Sequence, residues 1–323
     1  MVDFSPDRQT ETKALKALLF INLYKTNAAR IGENITARLN GMGIEVHAFT
    51  FAGRPDFSTQ EGYDIAFSLG GDGTVLYTAR TMAPLGVPIL PLNLGTLGFI
   101  AAVPPDDWET VFETWLVGKA PLSRRLMLEL RVERGGRTVL QGSCLNDAVI
   151  SASGIAKIIH LQVSSETAFT AGAEPGASRR YEHIRLGSYR SDGLIVSTPT
   201  GSTAYSVAAG GPILDPEMEA FIINPICPFT LSNRPVVVPA WETVIVEIEA
   251  VQRSGVLLTV DGQITEPLEP LDRIYIKKAS YQAGLIASGR EAFYTALLTK
   301  LNWFGIPGGY GSLDTEGRGA SHA

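Results

Sequence analysis

Gly70-Gly71-Asp72-Gly73 sets three glycines around one carboxylate, between the apolar run 65–69 and a stretch, 74–82, with helical spacing of Val75, Leu76 and Ala79. Glycines let backbone N–H groups come close to a phosphate, and a helix start adds partial positive charge on the same side. A carboxylate at the centre of such a cradle repels its ligand unless it has a task. It can take the proton from an attacking hydroxyl, or it can hold a metal. The loop alone leaves a plainer alternative open, in which Asp72 only caps the helix.

Three further stretches could line the same ligand. Asn93-Leu-Gly-Thr-Leu-Gly-Phe99 is a second glycine loop after an apolar run, and offers a second wall to a crevice. Asn146-Asp147 puts an amide beside a carboxylate in the apolar stretch 145–150, where a buried Asp must find a partner or a ligand. A structural turn is the alternative there. Residues 190–205 are richer. An apolar strand leads into Ser-Thr-Pro-Thr-Gly-Ser-Thr and then a helix start at Ala204, before Gly210-Gly211-Pro212. Hydroxyls, small residues and free N–H groups describe a pocket for a sugar or a base. Val260-Asp-Gly-Gln263 reads as no more than a tight turn between strands.

The elements that position these residues fall into two kinds. Over the first hundred residues strand and helix alternate: strand at 16–22, helix at 27–39 stopped by Gly41 and Gly43, strands at 44–51, 65–69 and 87–92, and a helix from 104 to about 117. That pattern predicts an α/β domain with a mostly parallel sheet, whose ligands bind at the carboxyl ends of the strands. Beyond Gly118 the period changes to two, with Leu126, Leu128, Leu130 and Val132 alternating with polar residues. Strand-like runs recur at 138–141, 145–151, 155–163, 193–198, 235–239, 243–250, 255–260 and 273–278, which predicts a mostly β C-terminal domain. Residues 164–187 read as a long hairpin or mobile loop. A helix at 290–303, with Phe293, Leu297, Leu298 and Leu301 on one side, is expected to return to the first domain. The division is therefore 1–122 completed by 287–304, then 123–286, with a loose N-terminus over 1–14 and a flexible tail at 305–323.

A chain of 323 residues with 45% hydrophobic and 19% charged residues has ample core for two domains. Its net charge of −6 argues against a general nucleic-acid binder, so any phosphate must be held by backbone donors, a few local cations and a metal. Cys144 and Cys227 suit a reducing compartment, although they could pair. Asp3, Asp7 and Glu11 are unlike a signal peptide, and 17–23 is too short to span a membrane. A cytoplasmic, membrane-free protein is expected.

The loops at 70–74, 93–99, 146–147 and above all 192–205, in this order, resemble the NAD kinases. The resemblance runs from about residue 16 to about 304 and ends on Phe293-Tyr…Lys300-Leu-Asn-Trp303. Diacylglycerol and sphingosine kinases share the Gly-Gly-Asp-Gly-Thr loop, and phosphofructokinases have a close variant; the long Thr/Ser run separates them. A lipid or sugar kinase, or a silent dinucleotide-binding regulator, are the alternative functions. The resemblance implies phosphoryl transfer from ATP or polyphosphate, with Mg²⁺, to the 2′-hydroxyl of the adenosine ribose of NAD, giving NADP. It makes Asp72 the general base and has Gly70, Gly71, Gly73, Thr74 and Asn93 hold phosphates and ligand beside it. Asn146 and Asp147 then hold a ribose, Asp192 meets the nicotinamide end, and Thr203, Ala204 and Tyr205 wall the base pocket. Lys157, Arg190 and Gln263 fall at ligand-contact positions. Where the family usually has Ser, this chain has Ala208, removing one pocket hydroxyl. Ser191 replaces a common glycine, and 164–187 is longer than usual. The resemblance further implies NAD(H) as partner and a homodimer or homotetramer built through the β domain.

Overall fold

The computed structural model describes residues 14–57, 62–95, 98–155, 157–170, 179–230 and 232–301. Nearly all of the N-terminal segment, the tail from 305, Trp303, Thr96 and Leu97 lie outside the described residues.

The first part is a parallel sheet. Strands β1 (Lys16–Asn22), β2 (Glu45–Phe51), β3 (Ile65–Gly70) and β4 (Ile89–Asn93) lie in the order β2-β1-β3-β4. β1, β3 and β4 are buried throughout their centres because helices cover both faces, which is why their sequences read as unbroken apolar runs. Alternate side chains go to opposite layers. Leu18 and Phe20 meet α2 (Asp72–Met82) through Val75, Leu76, Ala79 and Met82. Ala17, Leu19 and Ile21 meet α1 (Ala28–Gly41) and α3 (Trp108–Leu116) through Ile35, Leu39 and Phe112. α1 ends on Gly41, and Gly43 takes the left-handed conformation, at φ 78°, that turns the chain away.

The second part is an antiparallel sandwich. β5 (Leu122–Arg134) and β6 (Arg137–Cys144) pair as a hairpin, and β16 (Arg273–Ile286) lies between β5 and β13 (Thr243–Ile248). β13 pairs with β8 (Ile159–Thr170), and β8 with β9 (Arg179–Ser191). The 164–187 stretch is therefore mostly two arms of a hairpin, with its tip outside the described residues. The facing sheet has the order β12 (Val236–Pro239), β11 (Ala220–Ile226), β10 (Gly193–Ser197), β7 (Asp147–Ala152), β14 (Val256–Val260), β15 (Ile264–Leu268). Leu128, Leu130, Val244, Val246, Ile274 and Ile276 from one sheet close on Ile150, Leu194, Val196, Ile223 and Leu258 from the other. Neither β11 nor β15 is evident in the sequence pattern.

One strand belongs to both parts. β16 runs antiparallel to β5 and β13, and at Leu285 it pairs in parallel with Ile89 of β4. The chain then turns through Ala287, at φ 55°, into α5 (Arg290–Leu301). Its buried side is Phe293, Ala296 and Leu297, whereas Leu301, expected on that side, is 40% exposed. Phe293 packs on Phe99 with ring centroids 6.3 Å apart, so the helix does return to the first part.

Candidate active site

β3 ends at Gly70, and its sequence neighbour Gly71 precedes the first turn of α2 in an extended conformation without a side-chain cap. Asp72 is therefore not the cap. It is the first helical residue, and its carboxylate reaches the second glycine loop: Oδ2 accepts from Phe99 N at 3.0 Å, and Oδ1 from Ile100 N at 3.2 Å and Ala101 N at 2.9 Å. Three donors on two oxygens leave about one lone pair for anything else. The glycines have steric reasons. A Cβ on Gly98 would lie 1.9 Å from Asp72 Oδ1, and one on Gly70 2.1 Å from Thr74 Oγ1. Thr74 is buried, and its Oγ1 accepts from Asn22 Nδ2 at 3.1 Å.

The register Gly70↔Asn93 puts the two loops side by side. Leu94 N donates to Gly70 O at 2.7 Å, and buried Asn93 accepts from Gly95 N on Oδ1 at 3.0 Å. Between them stands Lys25, from the loop after β1. Its ammonium is 3.8 Å from where a Cβ of Gly71 would be and 3.7 Å from that of Gly95. Lys25, Arg54, Asp56, Asp72, Tyr77 and Arg80 line a cleft of about 730 Å³. A lysine held between two glycine loops can balance a polyphosphate without a basic surface elsewhere.

The turn at 260–263 is more than a turn. The carboxylate of Asp261, with no side-chain exposure, takes Arg80 Nη1 at 2.7 Å, Asn146 N at 2.8 Å and Leu145 N at 3.2 Å. Gln263 accepts from Arg80 and donates from Nε2 to Gly73 O at 2.7 Å. The helix that carries Asp72 is thus tied to the loop that carries Asn146. Burial pushes the Asp261 carboxyl up, and the Arg80 charge and the N–H donors pull it back.

Beyond that clamp lies a second pocket of about 380 Å³, lined by Asn146, Asp147, Val149, Ala204, Tyr205 and Thr259 among others. Asn146 Oδ1 is buried and has no hydrogen-bond partner among the described residues, so it is available to a ligand. Asp147 is 4% exposed, and its carboxyl is pushed up to about 7, first by burial and then by the neighbouring Asp261 charge. The Thr/Ser run plays a different part from the one its composition suggests. Thr198 donates to Leu145 O at 2.6 Å, Ser197 to Asn146 O at 3.2 Å, Ser202 to Pro199 O at 2.6 Å and Thr203 to Thr200 O at 3.2 Å. These hydroxyls fasten the loop around Leu145 and Asn146, and the walls come from Ala204 and half-exposed Tyr205. Ala208 is exposed, outside the residues lining this pocket.

Asp72, Gly73 and Gln263 thus share the cleft, and Asn146, Asp147, Ala204 and Tyr205 share the pocket. Lys157, Arg190 and Asp192 are not with them. Asp192 O accepts from Ala152 N, at the opposite end of β7 from Asp147. Five residue steps along the strand separate Asp147 from Ala152, about 17 Å. Lys157 and Arg190 are exposed at that far end. Lys25, Arg54, Arg80 and Asp261 escaped the sequence reading. Lys25 had a signal: it follows a parallel strand at its carboxyl end, where ligands gather.

A phosphate cradle at the ends of parallel strands, joined to a pocket in a β-sandwich, defines a two-domain kinase fold. Family models for the ATP-NAD kinase N-terminal domain and the ATP-NAD kinase C-terminal domain match residues 19–120 and 178–288. The NAD kinase of Treponema denticola is 40% identical over 293 residues, covering 90% of this chain and 97% of its own. That of Geobacter sulfurreducens is 34% identical over 296 residues, covering 89% and 98%. Yeast NADH kinase complexed with NADH superposes with a TM-score of 0.75 at 21% identity, covering 93% of this chain and 91% of its own. An NAD kinase from Archaeoglobus fulgidus in complex with ATP gives 0.64 at 22% identity, covering 89% and 99%. The chain belongs to the NAD kinase family.

Proposed function

We propose that this chain phosphorylates the 2′-hydroxyl of the adenosine ribose of NAD, giving NADP, with ATP or polyphosphate as donor. The observation that carries this reading is Asp72. It lines the cation-bearing cleft, is fixed by three N–H donors, and sits on a helix clamped to the Asn146–Asp147 pocket. The donor's phosphates lie against the loops at 70–73 and 93–95, with Lys25 and Arg54 balancing their charge. The adenosine of NAD occupies the pocket, its ribose on Asn146 and Asp147 and its base against Ala204 and Tyr205. A secondary hydroxyl is too weak an acid to attack at neutral pH, so Asp72 takes its proton through its remaining lone pair as the O–P bond forms and the donor's bridging oxygen leaves with its electron pair.

Among the described residues no group of three or more His, Cys, Asp or Glu side chains could hold a metal. Mg²⁺ would be carried by the donor's phosphates in the cleft, where Asp56 and Asp72 are the carboxylates in the lining. When bound, the ion offsets charge on the transferring group. Lys157, Arg190 and Asp192 reach this ligand from a second copy of the chain. Their end of the β domain exposes Ile155, Phe229 and Val251 at 97%, 72% and 77%, which suits a homodimeric or homotetrameric contact. Buried Cys144 and exposed Cys227 are both free thiols, as a cytoplasmic protein would keep them. No described helix is long and apolar enough to cross a membrane.

The test is NADP formation from NAD or NADH against ATP or polyphosphate, with and without Mg²⁺, in the wild type and Asp72→Asn. The variant is expected to lose turnover and keep NAD binding. Near-normal turnover would remove Asp72 from the base role, and phosphorylation of diacylglycerol or fructose 6-phosphate in place of NAD would overturn the acceptor.

A further inference from the structure

The aim of the Asp72 carboxylate is set by the N–H groups of residues 99–101, so whatever holds that loop holds the base. Ile100, whose N–H meets Asp72 Oδ1, has its carbonyl tied at 3.2 Å to Ser288 Oγ. Ser288 is 1% exposed, in the turn between β16 and α5, and its own carbonyl accepts a hydrogen bond from Nη2 of Arg125 on β5. Arg125 is itself only 1% exposed and heads the fully buried side chains by volume. Its Nε has no hydrogen-bond partner among the described residues. Burial draws the guanidinium down to about 10, against the pull of the Glu217 and Asp215 charges, which leaves it charged at neutral pH.

A buried cation with no hydrogen-bonded carboxylate among the described residues is a poor way to fill a core, since an apolar side chain of similar volume usually serves stability as well or better. What the guanidinium does that a Met or Leu could not is bond the Ser288 carbonyl at the point where the chain leaves the sheet. The loop has apolar and cationic support as well: Ile100 and Ala101 are buried in the core, and Phe99 rests on Phe293, with the Lys300 ammonium 5.0 Å from the Phe99 ring centroid.

We propose that Arg125 and Ser288 are positioning residues for phosphoryl transfer, holding Asp72 in its productive direction through the backbone of Ile100. This rests on the reading of Asp72 as base. The line runs Arg125 Nη2 to Ser288 O, Ser288 Oγ to Ile100 O, and Ile100 N to Asp72 Oδ1. Neither Arg125 nor Ser288 lines the cleft or the pocket, so the loss of either reaches the transfer step without removing a ligand contact.

Steady-state NADP formation and calorimetric NAD binding on the full chain test this, with Ser288→Ala, Arg125→Met, Arg125→Lys, the double variant Arg125→Met/Ser288→Ala and Asp72→Asn. Small misplacements of a reacting group cost up to about 100-fold, so Ser288→Ala is expected to lower kcat about 3- to 10-fold and Arg125→Met about tenfold or more. KM and Kd for NAD stay within about twofold in both, the pattern of an interaction felt only in the transition state. Arg125→Lys recovers part of what Arg125→Met loses. The double variant loses little more than Arg125→Met, because the two act in one line. Should Arg125→Met fail to fold, Ser288→Ala with Arg125→Lys decides the matter. An unchanged kcat in Ser288→Ala, or a rise in KM without a fall in kcat, overturns the positioning role while an inactive Asp72→Asn leaves the base assignment standing. An active Asp72→Asn instead overturns the base assignment, and the positioning role with it.

Discussion

Replacing Arg80 with Met removes the cation that Asp261 was buried against. The pair is 2.7 Å apart, with side-chain exposures of 11% and 0%, and the carboxylate keeps the N–H groups of Leu145, Asn146 and Asp147. The lost Coulomb attraction is about 4 kcal/mol at an effective dielectric near 20. Stranding one member of a buried pair costs about 3–5 kcal/mol in measured cases, because the survivor's desolvation is no longer offset. A loss of about 3 kcal/mol at pH 8 is therefore expected, read as a lower midpoint in urea at unchanged slope. The pH dependence gives a sharper check. Burial already raises the Asp261 carboxyl above its unfolded value, and removing Arg80 raises it further. Such a group binds more protons folded than unfolded, so its penalty is present above the folded value and disappears on acidification towards the unfolded one. The deficit of Arg80→Met should shrink as the pH is lowered towards the unfolded carboxyl value. Turnover should fall as well, since Gln263 loses its guanidinium partner while still holding Gly73 O. A deficit below about 1 kcal/mol at pH 8, flat with pH, would refute the clamp.

Asp147 should show the same sign on its own. With its carboxyl raised from 3.8 to about 7, the wild type loses stability as pH rises through that window, and Asp147→Asn should remove the slope and gain up to about 4 kcal/mol at pH 8 in urea melts without ligand. Gly98→Ala puts a methyl 1.9 Å from Asp72 Oδ1 and must push the carboxylate aside. Its kcat should fall about 100-fold, with NAD binding by calorimetry little changed. Lys25→Met should raise KM for ATP about tenfold, the equivalent of about 1.4 kcal/mol, and leave KM for NAD nearly alone in initial-rate assays.

Much of the fold could be read from residue pattern because the pattern is a direct imprint of burial. β1, β3 and β4 are covered on both faces and read as apolar runs, while β5 is covered mainly on one and alternates. β11 was hidden by Asn224 and Pro225 in its middle; Asn224 is buried because its side chain donates to Ser206 O at 2.9 Å. β15 was hidden by its length and by Pro267. In the site, the glycine loops were legible because close approach demands glycine at Gly70 and Gly98. The Arg80–Asp261 pair was not, since 181 residues separate its members and neither stands in a run that marks it. The Thr/Ser run was found for a different reason from the one the structure supplies. A hydroxyl facing a ligand and one holding a backbone carbonyl are identical as letters.

β16 also bears on what each half can do by itself. A fragment ending near residue 120 would strip β4 of its neighbour at Leu285, leaving the outer edge open at Ile89, ahead of the bridge to Val103 that covers Pro91 to Asn93. Ile89 is buried in the whole chain, and β4 carries no charged side chain to discourage another strand from adding there. Unprotected margins of this kind recruit further copies of themselves. The late strand is thus a seal as well as a bridge, and during synthesis the earliest part of the chain waits for more than 150 residues before its sheet is closed.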